Sequence, residues 1–215
     1  MRIAPPNRMR TLGITLLFVG GAAVAAADGG STDLDRIAAA QGSIRTLRAR
    51  FVQRRSLELF AEELVSHGRF YFKRPDRFRW DVDEPIRVSM MVADGRILTK
   101  DGDAAQAHAV PLPVSAQEIA GLLTGSVEIL RGLFDVQRSA PTTAGERLEL
   151  RPLQPALART VQAVTLDLAP RENYVQRIVL HEPSGDRTEI TFEDVEVNGS
   201  LSDGLFTFET GEVGR

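Results

Sequence analysis

The sequence predicts an α+β, mainly β domain built on one strongly curved antiparallel sheet. Three observations predict it. Apolar and polar residues alternate in roughly ten short runs, the spacing of half-buried strands. Tight turn signals such as Asp94-Gly95, Ser184-Gly185 and Asn198-Gly199 join the runs, and short joints pair neighbouring strands antiparallel. Helical spacing is confined to one segment before the strands and one broken segment in the middle.

Residues 1–27 read as a secretory signal. Arg2, Arg8 and Arg10 form a charged start, an apolar run covers 12–24, and Ala23-Val24-Ala25 or Ala25-Ala26-Ala27 offers a small-residue cleavage site. Asp28-Gly29-Gly30 ends the run before it reaches the length of about 20 apolar residues that a membrane span takes. Losing three arginines and no acid moves the formal charge from −3 to −6. An acidic domain is a poor partner for nucleic acid, whose non-specific binding rests on clustered positive charge. The 215-residue chain contains no cysteine. An exported protein of this kind has no disulfide framework and no thiol for a lipid anchor. Residues 28–215 are therefore expected to form one untethered domain held by its own core, which in a bacterium with an outer membrane places it in the periplasm; it is expected to be a monomer.

A first helix is expected over about 33–45, where Thr32 and Asp35 resemble a capping box and Leu34, Ile37, Ala38 and Ile44 recur near helical spacing. Leu47, Ala49 and Phe51 then alternate with Arg48 and Arg50. The stretch 68–80 is the most informative of the chain. Gly68, Phe70 and Phe72 and then Phe78, Trp80 and Val82 flank a turn at Arg74-Pro75-Asp76. Strand side chains alternate between faces, so Phe70, Phe72, Phe78 and Trp80 share one face while Arg69, Lys73, Arg77 and Arg79 take the other. Ile86, Val88, Met90 and Val92 extend the pattern, and Asp94-Gly95 turns into a strand at 96–99.

The middle of the chain reads as a broken helical pair. Ser115 and Glu118 resemble a second capping box, Ile119, Leu122 and Leu123 form one apolar stripe, and a break at Gly125 precedes Val127, Ile129, Leu130 and Leu133. Strands resume at 148–150, 164–168, 178–180 and 188–197. In the last of these the apolar phase slips to Val195 and Val197, the mark of a bulge. Leu205-Phe206-Thr207-Phe208 reads as a final short strand.

Catalytic motifs are missing from the sequence. It has no Gly-x-Ser-x-Gly elbow, no cysteine nucleophile and no phosphate-binding glycine loop, while His67, His108 and His181 are scattered rather than set at metal-ligand spacing. The chain is expected to be no enzyme and to hold no cofactor or metal. Its positive signal is apolar. The concave face of the sheet would carry Phe51, Phe70, Phe72, Phe78, Trp80, Val88 and Met90, opposite a greasy stripe of Ile119, Leu122, Leu123, Ile129 and Leu130 on short, glycine-broken helices. Such a face is covered either by those helices as an ordinary core or by an apolar ligand.

Several segments resemble the LolA family of periplasmic outer-membrane lipoprotein carriers. Phe51-Val52-Gln53 is similar to the family's Phe-x-Gln. The run from Gly68 through Phe70, Phe72, Lys73-Arg74-Pro75 and Phe78 to Trp80 is similar to its Gly-x-apolar-x-Lys-Arg-Pro-x-x-Phe-x-Trp signature. Asn198-Gly199-Ser200-Leu201 with Phe206-Thr207-Phe208 is similar to its closing segment. The resemblance implies an unclosed antiparallel β-barrel, or half-barrel, with helices capping a hydrophobic cavity for acyl chains. It implies that Arg74 latches the lid helices and that Phe78 and Trp80 lie in the cavity wall. It also implies acylated lipoprotein or another lipid as cargo, received from an inner-membrane lipoprotein-releasing transporter and delivered to an outer-membrane acceptor lipoprotein. A glycolipid or pigment-lipid carrier and a lipid-sensing regulatory domain are the alternatives on the same fold. Burying one chain of about 15 methylenes gains about 12 kcal/mol. Two or three such chains would pass the ceiling of non-covalent affinity near 18–21 kcal/mol, so a releasing carrier is expected to bury them incompletely.

Overall fold

The computed structural model describes residues 31–58, 62–93, 96–102, 104, 107–109, 124, 126–142, 145–170 and 174–208. The signal segment, the Asp94-Gly95 turn, and the helical stripe with Ile119, Leu122 and Leu123 lie outside the described residues. Helix α1 (Ser31–Gly42) leads into strands β1 (Thr46–Ser56), β2 (Leu64–Lys73), β3 (Arg77–Glu84), β4 (Val88–Ala93), β5 (Arg96–Asp101) and β6 (His108–Ala109). Helix α2 (Val127–Leu133) runs directly into β7 (Phe134–Thr142) and β8 (Gly145–Pro152). A one-turn helix α3 (Pro155–Ala158) precedes β9 (Ala163–Leu168), β10 (Val175–His181) and β11 (Arg187–Val197), and a 3₁₀ turn spans Asp203–Phe206.

The eleven strands among the described residues form one antiparallel sheet in the order β6-β5-β4-β3-β2-β1-β11-β10-β9-β8-β7. The first strand pairs with the last, which puts β1 and β11 at the centre and leaves β6 and β7 as the two edges. The sheet is thus an unclosed half-barrel. The aromatic hairpin has the register its alternation requires: Phe70 faces Trp80, and Phe72 faces Phe78. The phase slip in the last strand is a bulge. Between Arg48 opposite Glu196 and Arg50 opposite Glu193, β11 carries one residue more than β1, and Asp194 adopts φ 49° to accommodate it.

One side of the sheet rolls around a continuous core. Phe51, Phe70, Phe72, Phe78, Trp80 and Met90 come from one half of the sheet, and Leu148, Leu150, Val164, Leu166, Ile178 and Leu180 from the other. Leu34 and Ile37 of α1 and Val127, Leu130 and Leu133 of α2 close over them. Tyr71, Met91 and Leu98 project from the opposite side, where Phe206 is buried against them and Leu201, Leu205 and Phe208 pack around.

Four expectations are corrected. Helix α1 stops at Gly42, three residues short, because Ser43 turns the chain by bonding Ala40 O through both its backbone N and its hydroxyl. Ile86 precedes β4 and is 61% exposed; proline at 85 supplies no N–H for a ladder. Residues 205–208 form no strand. Ser202 caps the 3₁₀ turn by accepting from Gly204 N at 3.2 Å, and Phe206 anchors it in the outer cluster. Strands β6 and β7 were not anticipated.

The outer face is laced by ion pairs. Arg147 of β8 and Arg177 of β10 both reach Asp167 of β9, at 2.6 and 3.1 Å, and Arg177 reaches Glu189 of β11 at 2.7 Å. The hydrogen bond from Arg177, seconded by Arg187, lowers the Glu189 carboxyl from 4.5 to about 2. A carboxyl lowered by folding contributes stability above its unfolded value and loses it as pH falls through the folded one. The urea midpoint is therefore expected to fall between about pH 4.5 and pH 2, and to fall less in Glu189→Gln. Equal acid limbs in the two proteins would refute the assignment.

Candidate functional site

The inner aromatic face is built at the β1-β2-β3 junction. Gly68 of β2 makes it possible. Its position lies between Phe51 of β1 and Val82 of β3, and a Cβ there would stand 2.0 Å from Asp81 O and 2.4 Å from Phe51 Cζ. Without that Cβ, the Phe51 ring lies across β2 and stacks on Trp80 at a centroid distance of 4.0 Å. Phe70 sits 5.7 Å from Trp80 and 6.5 Å from Phe78, and Phe192 of β11 meets Trp80 edge-on at 6.1 Å. Offset and edge-to-face aromatic pairs at these separations are attractive beyond the area they bury.

Of the residues the sequence singled out, Phe51, Phe70, Phe72, Phe78, Trp80 and Met90 stand together on this face, none more than 3% exposed. Leu130 is fully buried in the same core from α2, and Ile129 packs against it half-buried. Val88 lies at the end of the row, paired with Val82 and half-buried. Phe192 belongs to the cluster and was missed, because it opens the segment in which the apolar phase slips.

Arg74 sits on the exposed turn between β2 and β3 and reaches the end of α1. Its Nε donates to Ile44 O at 2.5 Å and its Nη2 to Gln41 O at 2.9 Å, while its backbone N bonds Arg45 O at 2.8 Å. The last carbonyls of a helix have no partner within the helix, and a cation there also complements the helix dipole. A guanidinium fork reaches one carbonyl of the last turn, Gln41 O, and one just past it, Ile44 O, at once.

The far part of α1 is held differently. Arg36 Nη2 lies 2.8 Å from Glu146 Oε1 on β8, and Arg138 Nε of β7 lies 2.7 Å from Glu146 Oε2. Arg131 of α2 pairs with Asp35 of α1 at 3.0 Å. Hydrogen bonding from Arg138, with Arg36 second, holds the Glu146 carboxyl below its ordinary value. A signal for Glu146 was present in the sequence: it shares strand parity with Leu148 and Leu150, so a charge points to the inner side.

A cleft of about 220 Å³ on the outer face lies apart from this site. Arg69, Arg79, Arg87, Lys100, Asp81 and Asp83 line it beside Phe208. Its two carboxylates are already matched, Asp83 by a two-pronged contact from Arg69 and Asp81 by Arg79 Nε.

An open antiparallel half-barrel, wrapped round an aromatic face and roofed by short helices tied down by arginines, defines the class of domain. Residues 42–209 match the family described as outer membrane lipoprotein carrier protein LolA. An outer-membrane lipoprotein carrier protein of Chromohalobacter salexigens is 30% identical over 181 residues, 83% of each chain. One from Coxiella burnetii is 29% identical over 203 residues, 92% of this chain and 90% of its own. Among solved structures, an uncharacterized conserved protein from Thermus thermophilus aligns with a TM-score of 0.54 at 10% identity, over 82% of this chain and 91% of its own. A chain of the Pseudomonas aeruginosa MucA/MucB complex aligns with a TM-score of 0.50 at 13% identity, over 81% of this chain and 59% of its own. At such identities these two structures speak for the fold alone.

The chain belongs to the LolA family of outer membrane lipoprotein carrier proteins, a family of carriers and not of enzymes. Among the described residues no helix is long and apolar enough to cross a membrane.

Proposed function

We propose that this protein is a periplasmic carrier that takes the acyl chains of lipoproteins onto its inner aromatic face and moves them from the inner to the outer membrane. The observation that carries the reading is the roof. Helix α1 lies over the aromatic face, and Arg74 on the rim donates to Gln41 O in its last turn and to Ile44 O just past its end. In this closed state the aromatic side chains pack on one another, so cargo enters only when the roof lifts.

Magnitudes support that exchange. Lifting α1 and α2 uncovers Leu34, Ile37, Val127, Leu130 and Leu133. At roughly 1.5–3 kcal/mol per side chain this costs on the order of 10 kcal/mol. One acyl chain of about 15 methylenes returns about 12 kcal/mol when buried. The two nearly cancel, so loading is reversible, and reclosing of the roof helps expel the chain at delivery. An inner-membrane lipoprotein-releasing transporter and an outer-membrane acceptor lipoprotein are the partners this cycle requires. Trp80, the chain's one tryptophan, tests the reading directly. Its fluorescence is expected to respond to a bound lipid whose acyl chain carries a quencher, and binding without that response would place the cargo elsewhere.

A further inference from the structure

We propose that Glu146 is a second, releasable fastening of the roof, on the opposite half of the sheet from Arg74. Its use in cargo exchange rests on the carrier reading above; the fastening itself does not.

Glu146 is held from two sides. Its side chain is 13% exposed and points inward from β8, yet it never lacks compensation. Arg138 on neighbouring β7 donates to it through Nε at 2.7 Å and Nη2 at 3.2 Å, and Arg36 of α1 donates from the other side at 2.8 Å. The two arginines differ in which part of the molecule carries them. Arg138 is fixed to the sheet next to Glu146, whereas Arg36 belongs to the helix and is 55% exposed.

When α1 lifts, Arg36 leaves for water, where it is already half immersed. The carboxylate stays behind, still held by Arg138. Stranding a buried charge is the usual obstacle to breaking such a pair, and here Arg138 removes it. A carboxylate shared between one fixed and one movable arginine is thus a fastening that opens at low cost.

The same end of α1 is joined to α2 by Arg131 and Asp35 at 3.0 Å. The two helices are thus linked to each other as well as to the sheet. Arg74 restrains the C-terminal end of α1 from the β2–β3 turn, and Glu146 restrains the other part from β8. The roof is pinned to both halves of the half-barrel.

The test is backbone amide exchange of α1 in the cargo-free full chain, with central amides of β9 and β10 as the reference for global opening. In Glu146→Gln and in Arg36→Gln, α1 exchange is expected to rise about fivefold, the scale of a partly exposed ion pair, while the reference amides are unchanged. Arg138→Gln is expected to act in the opposite direction. Opening would then strand Glu146, so α1 exchange slows. A role for Arg138 in packing alone predicts acceleration in all three variants, and that result overturns the proposal. So does unaltered exchange in Arg36→Gln, which decides the matter alone if Glu146→Gln does not fold. A chain that passes these exchange tests and yet binds no acyl chain would contradict the carrier reading and leave the fastening intact.

Discussion

Replacing Gly68 with alanine is expected to destabilise the protein by about 3 kcal/mol, at the upper end of overpacking penalties, or to prevent folding altogether. The added Cβ would meet Asp81 O at 2.0 Å, and that atom belongs to a neighbouring strand that cannot swing aside. It would also meet the Phe51 ring at 2.4 Å, so Phe51 must leave its stack on Trp80. The change therefore strikes the centre of the sheet and the proposed site together. Urea unfolding gives the first effect and Trp80 fluorescence the second. Gly132 on α2 is the matched control, since nothing lies within 4 Å of a Cβ there. Gly132→Ala should be neutral or stabilising, by up to about 1 kcal/mol of helix propensity. A Gly68→Ala protein as stable as the wild type would mean that Phe51 does not lie across β2.

Arg74→Leu is expected to release the end of α1 with little damage to the rest of the fold. Two charge-assisted hydrogen bonds disappear, each worth about 1.5–3 kcal/mol at most. Leucine keeps an apolar stem on an exposed turn. Taking about 3 kcal/mol as the net loss, amide exchange at the end of α1 should accelerate by about a hundredfold. The strands β9 and β10 should keep their protection. The functional consequence follows from the same bonds. If re-forming them helps drive the roof shut, their loss slows discharge, and the variant retains acylated cargo that the wild type gives up. Exchange and discharge identical to wild type would show that Arg74 is no latch.

The aromatic hairpin could be read from sequence because burial on one face forces strict alternation, and alternation fixes register. That is why Phe70 opposite Trp80 and the bulge in β11 were both foreseeable. Strand β7 was not. Its inner face runs Phe134, Val136, Arg138, and the arginine interrupts the apolar series because its partner, Glu146, lies on the next strand. Residues 205–208 failed for the reverse reason. Their apolar spacing satisfies contacts on the outer face with Tyr71, Met91 and Leu98 and involves no ladder. Met91 alternates with Met90 and Val92 onto the outer side of β4, yet it is 2% exposed, because a segment more than a hundred residues later in the chain covers it. The latch role proposed for Arg74 came from a motif. The fastening proposed at Glu146 depends on three elements meeting, through Arg36, Arg138 and Glu146, which no local pattern encodes.

All of this depends on acyl chains reaching the stacked rings beneath α1. Trp80 is 3% exposed and in contact with Phe51, so it reports on that space and on no other. The chain should be titrated with a lipopeptide whose acyl chains are brominated near their ends, alongside its unbrominated twin. Equal affinity is expected for the two, with quenching of Trp80 by the brominated one alone. Binding of both with Trp80 unaffected would mean that the cargo lies outside the half-barrel.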